Sequence, residues 1–319
     1  MKFKFILGLA TATMLMATSC SQEEISTPGL NGDEATVSLA VNVPNSIQSR
    51  AFSDGTTVDQ LQYALYIYVG NTYTLVGEPE TVSNFKRTYN LELKLATGYK
   101  YKLVFWADSS IPKSGSSPIY GVSFGENEAK MKLAGTSGAV SSNRDFEDAF
   151  FAFYEFTVNG DFTGTIELKR PFAQINFGTN DLDDYLTATG YSSLTTGLKV
   201  KGTGLPDTLD LMTGEVSGNN SSVFFNYLSI PKYETFPVEG DYKYLSMAYL
   251  LIGDAQELVS VTLEYAESYS NMQSRTVNNV PVRRNYRTNI YGRVLTSDIN
   301  LSVEVAPEFG DNPVDFPLE

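Results

Sequence analysis

The chain has 319 residues, with 23 Lys/Arg, 37 Asp/Glu, no histidine and one cysteine. Those counts exclude Ser-His-Asp and Cys-His catalysis, imidazole metal sites, internal disulfides and multi-cysteine zinc sites. The net charge of −14 opposes sequence-independent nucleic-acid binding, which draws on cationic surface to release counterions, and the length suits about two domains.

The first twenty residues read as an address. Lys2 and Lys4 form a short positive region, and Phe5 to Thr18 is uncharged and mostly apolar. That run is too short for a stable membrane-spanning helix and has the proportions of an export signal. Small residues Ala17, Thr18 and Ser19 lead into Cys20. The segment 1–19 followed by cysteine resembles a bacterial lipoprotein signal, which implies lipidation of Cys20 and cleavage just before it. Several acyl chains on one residue hold a protein to a membrane far better than one chain does. Ser21-Gln22-Glu23-Glu24 resembles the surface-export signals of Bacteroidetes lipoproteins. It also reads as the start of a solvated linker reaching Ala35, and both readings stay open.

The body alternates with a period of two residues. Thr36 to Val43 places Val37, Leu39, Val41 and Val43 on one face, and Ser38, Ala40 and Asn42 on the other. That is the pattern of a half-buried strand. Similar stretches follow at 61–69, 88–95, 99–107, 150–158, 164–168, 173–177, 194–200, 223–229, 244–252, 258–265, 289–295 and 299–305, separated by turn residues such as Gly70-Asn71 and Asn159-Gly160-Asp161. Two short helices are expected, over 126–133 and 181–187. Many short strands with turns between them predict an all-β chain of tandem β-sandwiches. The break falls near Lys169-Arg170-Pro171, since proline cannot extend a central strand. The expected domains are therefore 51–169, completed by the strand 36–43, and 170–319.

After the first strand comes a polar loop, 44–55, with Pro44 and Gly55 at its ends and Arg50 as its single basic residue. Exposed loops are where proteolysis concentrates, so the bond between Arg50 and Ala51 is a candidate for an arginine-specific protease. If 36–43 completes the first sandwich, its four inward residues contribute about 6–12 kcal/mol as an upper estimate. A typical domain's whole stability is of that order. A cut after Arg50 would turn the strand into a separable peptide and release the chain from a lipid on Cys20. The groove left behind could accept another alternating strand by β-augmentation.

The ordered set of lipobox cysteine, acidic linker, alternating strand, Arg50-Ala51-Phe52, the run 99–107, the segment 170–177 and the segment 284–292 resembles the fimbrillin (type V pilin) family of Bacteroidales. The resemblance covers essentially the whole chain. It implies two transthyretin-like, Greek-key β-sandwich domains, lipoprotein export to the cell surface, and removal of the first strand by an arginine-specific protease. It also implies polymerisation with other pilin subunits through a donor strand. Candidate donor residues are Ile299, Leu301, Val303 and Val305, and in the tail Val314, Phe316 and Leu318. The first set also reads as the last strand of the second sandwich. An anchored surface lipoprotein, not cut at Arg50 and binding glycan or a host protein, is the other class of function. No catalytic residue, metal or cofactor is expected. Asp181, Asp183 and Asp184 lack the glycine and distal glutamate of a calcium loop and read as a solvated helix start. Trp106, in an apolar run, reads as core.

Overall fold

The computed structural model describes residues 32–44, 52, 55–110, 119–133, 137–268, 271–296, 300–306 and 314–316. Cys20, Arg50, Ala51, Ile299 and Leu318 lie outside the described residues.

Strands dominate. In chain order they are β1 (Glu34–Asn42), β2 (Gln60–Val69), β3 (Thr72–Ser83), β4 (Thr88–Ala96), β5 (Lys100–Asp108), β6 (Tyr120–Phe124), β7 (Ala129–Leu133), β8 (Ser137–Ser141), β9 (Phe150–Thr157), β10 (Phe162–Glu167) and β11 (Phe172–Thr179). The single α-helix described, α1 (Leu182–Thr189), comes next. It is followed by β12 (Thr195–Leu205), β13 (Thr208–Asp210), β14 (Val216–Ser217), β15 (Asn220–Ser229), β16 (Lys243–Leu251), β17 (Glu257–Ala266), β18 (Gln273–Val282), β19 (Arg287–Arg293), β20 (Asn300–Ala306) and β21 (Val314–Phe316).

The strands form β-sandwiches, as the alternation predicts. One pairs the sheet β10-β1-β4 with the sheet β3-β2-β5-β9. Its core holds Val37, Leu39, Val41, Leu61, Tyr63, Leu93, Leu103, Phe105, Phe150 and Ile166 among others. The other is built from β16-β11-β19-β20-β21 and β18-β17-β12-β15-β8. A small sheet, β14-β13-β7-β6, joins strands from either side of Arg170, and β8 runs parallel to β15. β7 and β8 therefore pair with strands that follow residue 170, β13 and β15.

That arrangement explains the continuous apolar run of β5. Tyr101, Leu103, Phe105 and Ala107 face the first core, while Val104 and Trp106 face the second cluster. A strand covered on both faces has no polar side to show. Trp106 is fully buried.

The helix expected over 126–133 is not there. Ala129, Met131 and Leu133 are buried while Lys130 and Lys132 point outward, which is strand alternation, and β7 pairs with β6 and β13. Five residues of Ala-Lys-Met-Lys-Leu carry too few turns for the 3.6-residue period to declare itself. The second helix does form. Gly190 ends α1 in the left-handed conformation, with φ 70°, where a Cβ would be strained. Two strands that alternation did not mark, β3 and β18, each have one sheet neighbour. Edge strands tolerate polar residues and proline such as Pro79 and Pro281, so their sequences look like loop.

Candidate functional site at the first strand

β1 lies inside its sheet rather than at an edge. It runs parallel to β10, with Val37 opposite Phe162 and Val41 opposite Ile166. It runs antiparallel to β4 over nine pairs from Glu34–Ala96 to Asn42–Thr88. Hydrogen bonds extend the ladder past both ends. Thr97 N donates to Asp33 O at 2.8 Å, Val43 N donates to Arg87 O at 2.8 Å, and Leu168 N donates to Asn42 O at 2.8 Å. Two side-chain contacts reinforce the β10 side. Thr36 N donates to Asp161 Oδ1 at 2.7 Å, and Asn42 Nδ2 donates to Glu167 Oε1 at 3.0 Å.

Burial follows the alternation. Val37, Leu39, Val41 and Val43 are 0–4% exposed, and Ala35 extends the row. Gly164 on β10 has a local reason: a Cβ there would stand 3.1 Å from Leu39 Cδ2. Gly55, at φ +68°, presents its bare face to Val43 and Phe150. Both glycines let the row seat without a gap. Taking β1 away would open a trough between β4 and β10, lined by apolar side chains and two rows of unpaired backbone groups.

The chain leaving β1 is held on both sides of the Arg50–Ala51 bond. Val43 is buried in the first core, and Phe52 is buried in the second cluster. The Phe52 ring meets Tyr244 edge-on at 5.1 Å.

The C-terminal candidates sit elsewhere. β20 is antiparallel to β19, with Val303 opposite Ile290 and Val305 opposite Thr288. Val303 and Val305 are buried and Leu301 is half-buried. Val314 and Phe316 lie in β21, which pairs with β20 at the sheet's edge. β20 thus serves as a strand of the second sandwich, beside β19.

Three charged groups, Arg170, Asp148 and Asp181, are structural, and the last corrects the expectation of a solvated helix start. Arg170 and Asp148 form a buried two-point ion pair, Nε to Oδ1 at 2.7 Å and Nη2 to Oδ2 at 2.8 Å. The guanidinium also lies 4.4 Å from the Phe150 ring centroid. Burial works against the charged guanidinium, but Asp148 outweighs it and raises the Arg170 pKa. Asp181 is buried rather than solvated. It accepts bonds from the backbone N–H groups of Val294, Leu295 and Thr296, from the Thr296 hydroxyl and from the Thr179 hydroxyl. Burial pushes its pKa up, yet these hydrogen bonds bring it below the ordinary carboxylate value. Asp183 and Asp184 are exposed, and no group of three acidic side chains converges among the described residues. A sequence signal for either carboxylate would have been an acidic residue inside or beside an otherwise apolar strand.

No described helix is long and apolar enough to cross a membrane. The fold is similar to that of a solved fimbrial protein. The tip fimbrial protein Mfa3 of Porphyromonas gingivalis, solved with a C-terminal truncation, aligns over 86% of this chain and 100% of that one, at 10% identity and a TM-score of 0.50. A fimbrial assembly protein of Parabacteroides distasonis aligns over 90% of this chain and 100% of that one, at 13% identity and a TM-score of 0.42. No curated protein matches the chain. Residues 28–316 match the family described as "Family of unknown function (DUF6562)", and the chain belongs to it.

Proposed function

We propose that this protein is a structural, adhesive subunit of a surface pilus. On this reading it is exported as a lipoprotein through Cys20, cut after Arg50 by an arginine-specific protease, and assembled with other subunits by strand exchange. The observation that carries the reading is the seat of β1. It has a partner on each side and a fully buried inward row, yet it joins the rest of the molecule through one short segment that contains Arg50. Cleavage there would leave Phe52 anchored by Tyr244 and free β1 to depart. The resemblance between this fold and that of a protein named as a tip fimbrial protein supports the same reading.

A donor strand must match Val37, Leu39, Val41 and Val43. The run from Ile299 through Leu301, Val303 and Val305 has that alternation, and so, more weakly, does the tail with Val314, Phe316 and Leu318. Because β20 is seated in its own sheet, a second reading has specific support: a tip or anchor subunit that accepts a strand and donates none. N-terminal sequencing or intact mass of the protein from native cells decides whether processing occurs. A chain beginning at Ala51 supports the proposal, and one beginning at lipidated Cys20 overturns it in favour of an anchored surface lipoprotein.

A further inference from the structure

The outer face of the sheet β18-β17-β12-β15-β8 carries an open cleft of about 580 Å³ lined by Lys199, Asn220, Ser222, Phe224 and Glu264. Strand register explains why these groups meet. Lys199 on β12 stands opposite Phe224 on β15 and Thr262 on β17. Gly197 stands opposite Glu264. Their neighbours Leu198, Val200, Val223, Phe225, Val261 and Leu263 turn inward and are buried. The cleft is thus the polar side of a sheet whose other side is core.

The sheet beside the cleft is not that of an ordinary solvated face. The β12–β15 register shifts between the pairs Thr196–Leu228 and Leu198–Phe225. Asn226 and Tyr227 together oppose the single residue Gly197, which is a β-bulge, and bulges re-aim side chains. The bulge brings the Tyr227 ring down onto Gly197: a Cβ at 197 would come within 2.7 Å of Tyr227 Cδ1 and 2.9 Å of Cε1. Phe224 meets Tyr227 edge-on at 5.1 Å. The Tyr227 hydroxyl donates to the Glu264 carboxylate, fixing both at the rim. Lys199 has no carboxylate partner among the described residues, so its ammonium group is available to a ligand.

We infer that this cleft binds a neutral pyranose of a glycan. A sugar ring offers a face of C–H groups, which stacks on aromatic rings, and a rim of hydroxyls that both donate and accept. Phe224 supplies the aromatic face inside the cleft, and Tyr227, packed edge-on against it, stands beside the cleft. Glu264 accepts, Lys199 donates, and Ser222 and Asn220 do both. One cation and one anion on the rim leave the cleft near neutral. In a chain of net charge −14, an anionic ligand is disfavoured at long range. A buried apolar peptide would need apolar walls that the cleft lacks. The inference stands apart from strand exchange, since the cleft lies on the face of the second sandwich and needs no second subunit.

Saturation-transfer NMR and titration of the purified monomer test it, with methyl β-D-galactopyranoside, methyl α-D-mannopyranoside and N-acetylglucosamine as probes. N-acetylneuraminic acid serves as the anionic arm. The expected result is transfer to the C–H protons of at least one neutral sugar, with affinity falling about tenfold in Gly197→Ala, which lifts the Tyr227 ring, and in Phe224→Ala. Lys199→Gln, a substitution at a half-exposed side chain, is expected to weaken binding without altering the melting temperature, so a folding defect in the aromatic variants is recognised. The inference is overturned if no neutral sugar receives saturation, if binding survives all three substitutions, or if N-acetylneuraminic acid binds more tightly than the neutral sugars.

Discussion

Asp181 shows how much one residue can hold. Its carboxylate gathers three consecutive backbone N–H groups and two hydroxyls at the end of β19, just before the chain enters β20. Its pKa is lowered in the fold, so the ionised form is favoured by folding. The stability this provides is present above the unfolded carboxylate pKa and is lost as pH falls through the depressed folded value. Asp181→Asn is therefore expected to cost about 1–3 kcal/mol near neutral pH, because buried donors lose a charged acceptor. The variant should also flatten the acid limb of stability, measured by urea melts from pH 6 down to pH 2. A parallel acid limb in variant and parent would show that Asp181 does not contribute it. Arg170 makes a comparable case at the turn between β10 and β11. Arg170→Met leaves Asp148 buried and uncompensated, for an expected loss of about 3–5 kcal/mol, and Asp148→Asn added to it should recover part of that loss. A double variant no better than the single one would contradict the pairing. These two carboxylates were not legible as structural groups in the sequence. A short acidic residue next to a helix reads as solvent-facing unless one knows that a strand end 113 residues later comes back to it.

At the scale of the element, β1 was the most legible part of the chain. Four β-branched or leucine side chains at strict intervals of two can bury one face of a strand and little else. What alternation could not say was how many neighbours the strand has. Parallel pairing to β10 and antiparallel pairing to β4 turn an amphipathic strand into an interior one. Leu39→Ala should cost about 2–5 kcal/mol as a cavity in a packed core, and Leu39→Asp should prevent β1 from seating at all. Proteolysis of the Leu39→Asp precursor would then remove residues preceding Ala51 faster than in the parent. Equal cleavage rates would mean that the seat of β1 does not protect it. Arg50→Ala is expected to leave a monomeric, membrane-bound precursor, read by sedimentation and fractionation, and normal polymerisation of that variant would defeat the cleavage model. Removing 313–319 tests the tail as donor: if polymer length is unchanged, the tail has no such role. β7 is the counter-example: its five alternating residues are too few to separate a period of 2 from one of 3.6.

For the whole molecule, the question is whether the two sandwiches act as one. Lys102 on β5 is buried and its Nζ donates to Met212 O at 3.0 Å, across to the segment between β13 and β14. Tyr66 Oη lies 3.2 Å from Gly125 O and 3.1 Å from Glu128 O. The Trp106 ring meets Tyr120 edge-on at 5.2 Å, and Tyr120 stacks on Phe172 at 5.5 Å. These contacts run from the sheet of the first sandwich through the small sheet into β11 of the second. The one tryptophan of the chain is therefore a reporter of the junction. Its fluorescence should be blue-shifted in the folded chain, and its urea transition should coincide with that of far-UV circular dichroism. A fluorescence transition at clearly lower urea would show the junction opening before the sheets do.

The sequence by itself determined the class of structure and the first strand's amphipathic face. It did so because a two-residue period, turn residues and the lack of long helical patterns are local properties, written within about ten residues of each other. The expected export signal before Cys20 and the expected cleavage point at Arg50 rest on local sequence patterns in the same way. Tertiary structure alone decided that β1 is flanked on both sides, that β7 and β8 pair beyond Arg170, that Asp181 and Asp148 are buried, and that a bulge opposite Gly197 lays an aromatic ring on the second sandwich. Each depends on which distant segments become neighbours. In a sheet that pairing is set by the sum of core burial and ladder hydrogen bonding over the whole chain rather than by any residue's own preference.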